Sequence, residues 1–231
     1  MQQHIDRDKL YTDGAYRFQY VTNFMDFGPD DIKVIETVGP RLKPLIPAVV
    51  DAVYDKLYGY DITWKHFLPR NEGYQGKVVD DLDSLNPNSD QIKFRKDFLK
   101  RYLEKLFDGP YDERMLRYLD HVAKIHTDTP EKKSRINVEY IHMNALMGYV
   151  ETTLVGGVLS LNLPREEEAK ALSAFNKLLW IQNDYFAKYY CNPKDTVQNT
   201  STSSLCNSVN WTTAAAAVIG GLAVWLYRSQ H

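Results

Sequence analysis

The chain has 231 residues, enough for one domain of ~100–150 residues with a full hydrophobic core and a further segment. Its formal net charge is −2, with basic and acidic residues interspersed, so it lacks the basic stripe of a nucleic-acid-binding protein. Two cysteines, Cys191 and Cys206, do not make a disulfide framework, and the polar N-terminal sequence does not read as a signal peptide. We therefore expect a protein of a reducing compartment that binds no nucleic acid.

Apolar residues of the chain recur at helical spacing, and no segment of residues 1–190 alternates as a strand does. Residues 1–14 are expected to be a mobile N-terminus, followed by the domain at 15–191. Helices are predicted, in chain order, over residues 30–37, 40–60, 90–107, 111–126, 137–161 and 165–190. The pair Gly39-Pro40 is expected to separate the first two, and a short turn at 61–68 and a loop at 70–89 precede the third. The last two helices should pair antiparallel, which makes the fold class all-α.

One histidine stands out in the helix predicted over 111–126. Met115, Leu119, Val122 and His126 follow one another at steps of four, three and four, so His126 faces the core. It could be a structural histidine satisfied by a hydrogen bond. However, its neighbours are apolar and its face carries no second ligand-type residue. A lone imidazole suits one axial bond to a haem iron better than a closed zinc site, which needs about four ligands.

Other sequence patterns point to no catalytic chemistry. Among the remaining histidines, only His142 competes with His126 as a ligand. The chain has no Cys-x-x-Cys-His haem-attachment motif, no His-Glu-x-x-His motif, no Gly-rich phosphate loop and no Gly-x-Ser-x-Gly elbow.

Three short segments together resemble protoglobins and globin-coupled sensors. Residues 111–127, with Tyr-Asp at the start and Val-Ala-Lys-Ile-His-Thr at the end, resemble the proximal helix of that family. Residues 51–57 (Asp-Ala-Val-Tyr-Asp-Lys-Leu) resemble its B helix, and residues 95–99 (Arg-Lys-Asp-Phe-Leu) its E helix. The last two predicted helices fall where the family has its G and H helices, so the resemblance covers roughly residues 15–190. It implies a globin-like helical sandwich with an extra N-terminal helix, holding haem b.

The resemblance also implies roles for particular side chains. His126 would be the protein ligand of the iron, and Val122, one turn earlier, would line the same side of the haem. Tyr54 would stand over the distal face, although a core tyrosine satisfied by the backbone is the alternative. Val53 stands where the family often has tryptophan, which leaves more room beside Tyr54.

The aromatic residue that packs on the distal side in this family corresponds to Phe98, or to Leu99 if the register shifts by one. The implied function is reversible binding of a diatomic gas, with oxygen first and carbon monoxide and nitric oxide as further ligands. A sensor or carrier is favoured over an enzyme, and a homodimer through helices 137–161 and 165–190 is implied. Two alternatives stay open: a haem enzyme that turns over nitric oxide or peroxide, and a haem-free, membrane-tethered interaction protein.

The C-terminal 40 residues have a different composition from the rest. Residues 192–210 are rich in Ser, Thr and Asn and read as a polar linker. Residues 211–227 form an uncharged apolar run, flanked by aromatic residues and Arg228. We expect this run to be a single transmembrane tail anchor that leaves the globin domain in the cytosol. At ~1.5 Å per residue it reaches ~25 Å, so a thin membrane is favoured, either the endoplasmic reticulum or the mitochondrial outer membrane.

Overall fold

The structure is a computed structural model that describes residues 2–127 and 136–191. All regular secondary structure in these two ranges is helical. The helices are α1 Arg7–Thr12, α2 Gly14–Phe24, α3 Pro29–Leu42, α4 Ile46–Tyr58, α5 Asp61–Trp64, α6 Asp90–Asp108, α7 Glu113–Ile125, α8 Tyr140–Ser160 and α9 Arg165–Tyr190. Short 3₁₀ turns at Lys43–Leu45 and Lys65–Phe67 follow α3 and α5. The all-α prediction is confirmed.

The N-terminal segment contains helical structure. The mobility of residues 1–14 stays a prediction; within this segment the structure has α1, and α2 begins at Gly14. Each of the two helices begins with a carboxylate cap, because Asp6 and Asp13 accept hydrogen bonds from the backbone N–H groups of the first turn. Arg17 of α2 then donates two hydrogen bonds to Asp184 of α9, at 2.6 and 2.7 Å. This pair fixes α2 on the helical core.

The predicted break at Gly39-Pro40 is wrong, because α3 runs through both residues. Gly39 packs against α6 so closely that a Cβ atom there would lie 2.7 Å from the carbonyl oxygen of Phe107. The helix instead ends at Leu42 and gives way to the 3₁₀ turn that contains Pro44. Pro44 stands in the first positions of that turn, where a missing N–H costs little.

Helices α8 and α9 form the predicted antiparallel pair. The ring of Tyr140, at the start of α8, packs 5.2 Å from the ring of Tyr190, at the end of α9. The Tyr140 hydroxyl also contacts the side-chain amide of Asn183. Helix α9 carries the largest group of buried side chains, and it packs against α3, α7 and α8. It is therefore the central element of the core.

Residues 70–89 form no helix, as predicted, but this loop is anchored. The buried indole of Trp64 donates a hydrogen bond to the carbonyl oxygen of Leu85, and the Leu85 side chain is fully buried. The loop therefore packs on the core beside the short turn that precedes it.

The predicted linker 192–210 and tail anchor 211–227 lie outside the described residues. Within the described part of the chain, no helix has the length and apolar character needed to span a membrane.

Candidate functional site

Helix α7 places His126 at its C-terminal end. The helix begins at a carboxylate cap, Asp112, which accepts hydrogen bonds from two backbone N–H groups. Met115 and Leu119 are buried, as their spacing predicted, while Val122 and His126 are half-buried. The apolar stripe therefore leads from the core to the imidazole.

The imidazole of His126 has a defined orientation. Its Nδ1 atom lies 2.7 Å from the carbonyl oxygen of Val122. A carbonyl oxygen can only accept, so Nδ1 carries the proton and Nε2 carries the lone pair of the neutral ring. The ring meets the edge of Phe186 from α9 at 5.8 Å between centroids. This backbone contact is the arrangement by which proteins orient a metal-binding histidine.

The backbone of His126 is held from α9 and from the start of the segment that leads into α8. The N–H of Val138 donates to the carbonyl oxygen of His126 at 2.9 Å. The hydroxyl of Tyr190 lies 2.5 Å from the carbonyl oxygen of Val138 and 3.4 Å from that of His126. The last residue of α9 thus bonds the backbone at two points, at the end of α7 and just before α8.

Tyr54 projects from α4 into the core. Its side chain is 6% exposed, and its ring packs 5.5 Å from that of Phe67. Burial raises the pKa of its hydroxyl, which stays protonated at neutral pH and able to donate. Within the described residues this hydroxyl makes no hydrogen bond. Its neighbour Val53 is also buried.

The predicted aromatic residue of α6 lies at the surface. Phe98 is 45% exposed and packs on Phe94 at 5.0 Å, with the guanidinium of Arg101 over its ring. Leu99, the alternative one residue later, packs against the core instead. No ring contact or hydrogen bond of the described chain joins Phe98 to Tyr54, or Tyr54 to His126.

Two buried polar side chains of α6 hold the turn beneath Tyr54. The amide of Gln91 donates to the carbonyl oxygen of Phe67 at 3.1 Å. The guanidinium of Arg95 bonds the carbonyl oxygens of His66 and Pro69 and lies 5.2 Å from the Phe67 ring. These contacts fix the ring on which Tyr54 packs.

Sequence reasoning missed four residues of this site, namely Phe67, Arg95, Phe186 and Tyr190. Arg95 stood inside the segment that resembles the E helix, and Phe67 lay in the predicted short turn. Their contacts join residues far apart in the chain, which periodicity along one helix does not reveal.

An apolar cavity lies elsewhere in the fold. Its walls come mainly from α4, α6, α8 and α9 and include Val49, Leu103, Val150 and Leu178. None of the predicted ligand-binding residues lines it. The candidate site around His126 is therefore identified by its side chains and not by this cavity.

The chain was compared with known proteins. The family model described as Protoglobin matches residues 14–196. Among solved structures, the globin domain of the Geobacter sulfurreducens globin-coupled sensor is similar, with 20% sequence identity and a TM-score of 0.59. The match covers 75% of this chain and 97% of that one, and at this identity it shows a shared fold. No curated protein sequence matches the chain.

Proposed function

Because the chain belongs to the Protoglobin family, we propose that it binds b-type haem through His126 and reversibly takes up a diatomic gas. One observation carries the proposal: the Nδ1 atom of His126 donates to the Val122 carbonyl at 2.7 Å. This contact sets the tautomer in which Nε2 is the basic atom of the ring, the atom that would ligate the iron.

His126 and its neighbours suit haem better than a bare metal ion. The apolar Val122 lies one turn before His126, and the ring of Phe186 packs against its imidazole. A structural zinc site needs about four ligands, and no such cluster of three or more ligand side chains occurs among the described residues. Haem needs one protein ligand and an apolar surrounding, and its iron supplies the centre that takes up the gas.

We assign the side of the proposed site that lies opposite His126 to α4 and α6. Tyr54 supplies a protonated hydroxyl that is not committed to another described residue, so it can donate to a polar ligand. Beside it, Val53 is smaller than the tryptophan that the family often has at this position. From α6, Phe98 or Leu99 closes the site, and Leu99 is the one that already faces the core.

The test of the proposed iron ligand compares haem retention in two histidine variants of the full chain. His126→Ala should lose most of its haem, because the iron loses its bond to the protein. His142→Ala should retain haem as the unchanged chain does. His126→Gly should regain haem when free imidazole is added, since the imidazole fills the space of the deleted ring.

Two outcomes would contradict the assignment of His126. One is equal haem retention in His126→Ala and His142→Ala. The other is a His142→Ala variant that loses haem while His126→Ala keeps it.

We propose oxygen as the principal gas, with carbon monoxide and nitric oxide as further ligands, and a role as sensor or carrier. The support is the Tyr54 hydroxyl, because a hydrogen-bond donor favours a polar ligand such as oxygen. Equilibrium titration of the reduced, haem-loaded chain with each gas measures the order of affinities. An oxygen affinity too weak to detect would contradict this choice of ligand.

A homodimer through α8 and α9 is part of the proposal. One face of α8 is apolar and exposed, with Ile141 70%, Val155 38% and Leu159 47% exposed, and Trp180 of α9 is 48% exposed. Helix α8 carries only one charged residue, Glu151. Apolar side chains in such a patch gain about 25 cal/mol per Å² on burial, which favours self-association. Val155→Asp should shift the chain from dimer to monomer in sedimentation, and a monomeric unchanged chain would contradict the dimer.

We also propose that residues 211–227 anchor the chain in a membrane. The support is the sequence alone: seventeen uncharged residues with aromatic residues at both ends. Full-length chain should stay with membranes after alkaline carbonate extraction, while residues 1–210 should be released. Full-length chain that washes off, or a truncated chain that stays bound, would refute the anchor.

A further inference from the structure

Arg95 carries a buried charge that lacks an opposite charge beside it. The residue is 5% exposed, and the other buried polar residues among those described are neutral. Burial lowers the pKa of its guanidinium, yet an arginine stays protonated at neutral pH. Buried charges in proteins are normally paired. No carboxylate of the described chain forms an ion pair with Arg95.

Hydrogen bonds also satisfy this guanidinium only in part. Its two terminal nitrogens donate to the carbonyl oxygens of His66, at 3.4 Å, and of Pro69. Its Nε atom is buried and has no hydrogen-bond partner among the described residues. A buried donor without an acceptor is unfavourable and rare. The orphaned N–H and the unpaired charge together indicate a ligand that is an anion and accepts a hydrogen bond.

The guanidinium lies near the proposed distal side of the haem. Arg95 and Leu99 are four residues apart in α6 and share one face of the helix, and Leu99 packs against the core. The guanidinium lies 5.2 Å from the ring of Phe67, on which Tyr54 packs. Burial raises the pKa of the Tyr54 hydroxyl, and the charge of Arg95 lowers it in part. Arg95 therefore acts on the hydroxyl that we assign to the gas ligand.

We propose that Arg95 makes the distal side of the haem bind small monoanions in addition to diatomic gases. The inference rests on the proposed function, because the anion would occupy the same side of the haem. The Nε–H of Arg95 and the hydroxyl of Tyr54 donate to the anion, and such charge-assisted bonds are roughly twice as strong as neutral ones. One guanidinium offsets one negative charge, which favours a monoanion.

The nearby cation Lys96 is already paired. Its Nζ atom lies 5.8 Å from the centroid of the Tyr54 ring and 2.7 Å from a carboxylate oxygen of Asp51. Asp51 is mostly exposed, so this pair lies toward the surface. The charge that selects the anion is therefore that of Arg95.

The test compares azide with carbon monoxide on the full, haem-loaded chain. Azide is a monoanion that binds oxidised haem, and carbon monoxide is neutral and binds reduced haem. Arg95→Gln should weaken azide binding by roughly 10–100-fold, measured from the shift of the Soret band. The affinity for carbon monoxide should fall by less than about threefold, because that ligand has no net charge for the guanidinium to offset. A purely structural role of Arg95 would weaken both ligands alike.

Two further variants serve as controls. Arg95→Lys keeps the positive charge and should recover most of the azide affinity that Arg95→Gln loses. Arg117→Gln removes a charge from an exposed side chain of α7, and it should leave azide binding unchanged because solvent screens that charge. Azide affinity that is unchanged in Arg95→Gln, or that falls no more than the affinity for carbon monoxide, would overturn the inference.

A crystal structure of the unchanged chain with haem and azide tests the contact without any variant. The Nε atom of Arg95 should lie within ~3.2 Å of an azide nitrogen. An azide that contacts no atom of the guanidinium would overturn this inference and leave the proposed function intact. A chain that takes up no haem would overturn the proposed function, and this inference with it.

Discussion

Replacing Tyr54 by Phe separates packing from hydrogen bonding at the proposed distal side. The Tyr54 ring is buried and packs 5.5 Å from Phe67, and phenylalanine keeps that ring. The hydroxyl makes no hydrogen bond to another described residue, so its removal breaks none of them. We expect the free energy of unfolding to change by less than ~0.5 kcal/mol.

The same change should have a clear effect on oxygen binding. A hydrogen bond from the hydroxyl to a polar ligand contributes ~1–2 kcal/mol. Its loss should raise the oxygen dissociation rate by roughly 5–30-fold. Carbon monoxide is less polar when bound, so its dissociation rate should respond less. Stopped flow and flash photolysis of the haem-loaded chain measure both rates.

Tyr102→Phe is the matched control. Tyr102 is a tyrosine of α6 whose hydroxyl donates to Gln182 of α9 at 3.1 Å. Its removal should lower the free energy of unfolding by ~1 kcal/mol and leave the oxygen dissociation rate unchanged. An unchanged oxygen rate in Tyr54→Phe, or an equal rise in both variants, would show that Tyr54 does not face the ligand.

Three further changes test the packing around the site. Tyr190→Phe removes the hydroxyl that contacts the backbone at the end of α7. The variant should lose ~1 kcal/mol of free energy of unfolding and release haem roughly fivefold faster. Transfer of haem to an acceptor globin measures the rate of haem loss. Gly39→Ala places a Cβ atom 2.7 Å from the Phe107 carbonyl oxygen. The free energy of unfolding, measured with denaturant, should fall by ~1–3 kcal/mol. An unchanged unfolding midpoint would contradict the close packing of α3 on α6. Asp120→Ala removes hydrogen bonds to two side chains of α9 and should lower the free energy of unfolding by ~1–2 kcal/mol. Glu113→Ala removes an exposed ion pair of the same helix and should lower it by less than ~0.5 kcal/mol. Equal losses in the two variants would contradict this difference.

Much of the fold followed from local patterns in the sequence. The helices from residue 90 onward were predicted within about three residues of their observed bounds, because their apolar faces repeat at helical spacing and their ends carry Gly, Pro or acidic residues. Gly39-Pro40 was misread as a break. A glycine needed for close packing and a glycine that ends a helix look alike in sequence, and only the contact with Phe107 distinguishes them.

The candidate site could be predicted only where one helix determines it. The stripe from Met115 to His126 follows from the period of α7, so the position of His126 needed no tertiary information. The choice between Phe98 and Leu99 depends on the rotation of α6 against its neighbours, and the structure turns Leu99 toward the core. The clamp by Tyr190 joins residues 64 positions apart, which no local pattern encodes.

Haem bound through one histidine would give the chain an absorption spectrum that the haem-free chain lacks. The full chain should be titrated with haem and examined when oxidised, when reduced, and when reduced under carbon monoxide. We expect saturation at one haem per chain, a Soret band in each state and a shift of that band under carbon monoxide. A spectrum that shows only free haem, with no saturation, would contradict it.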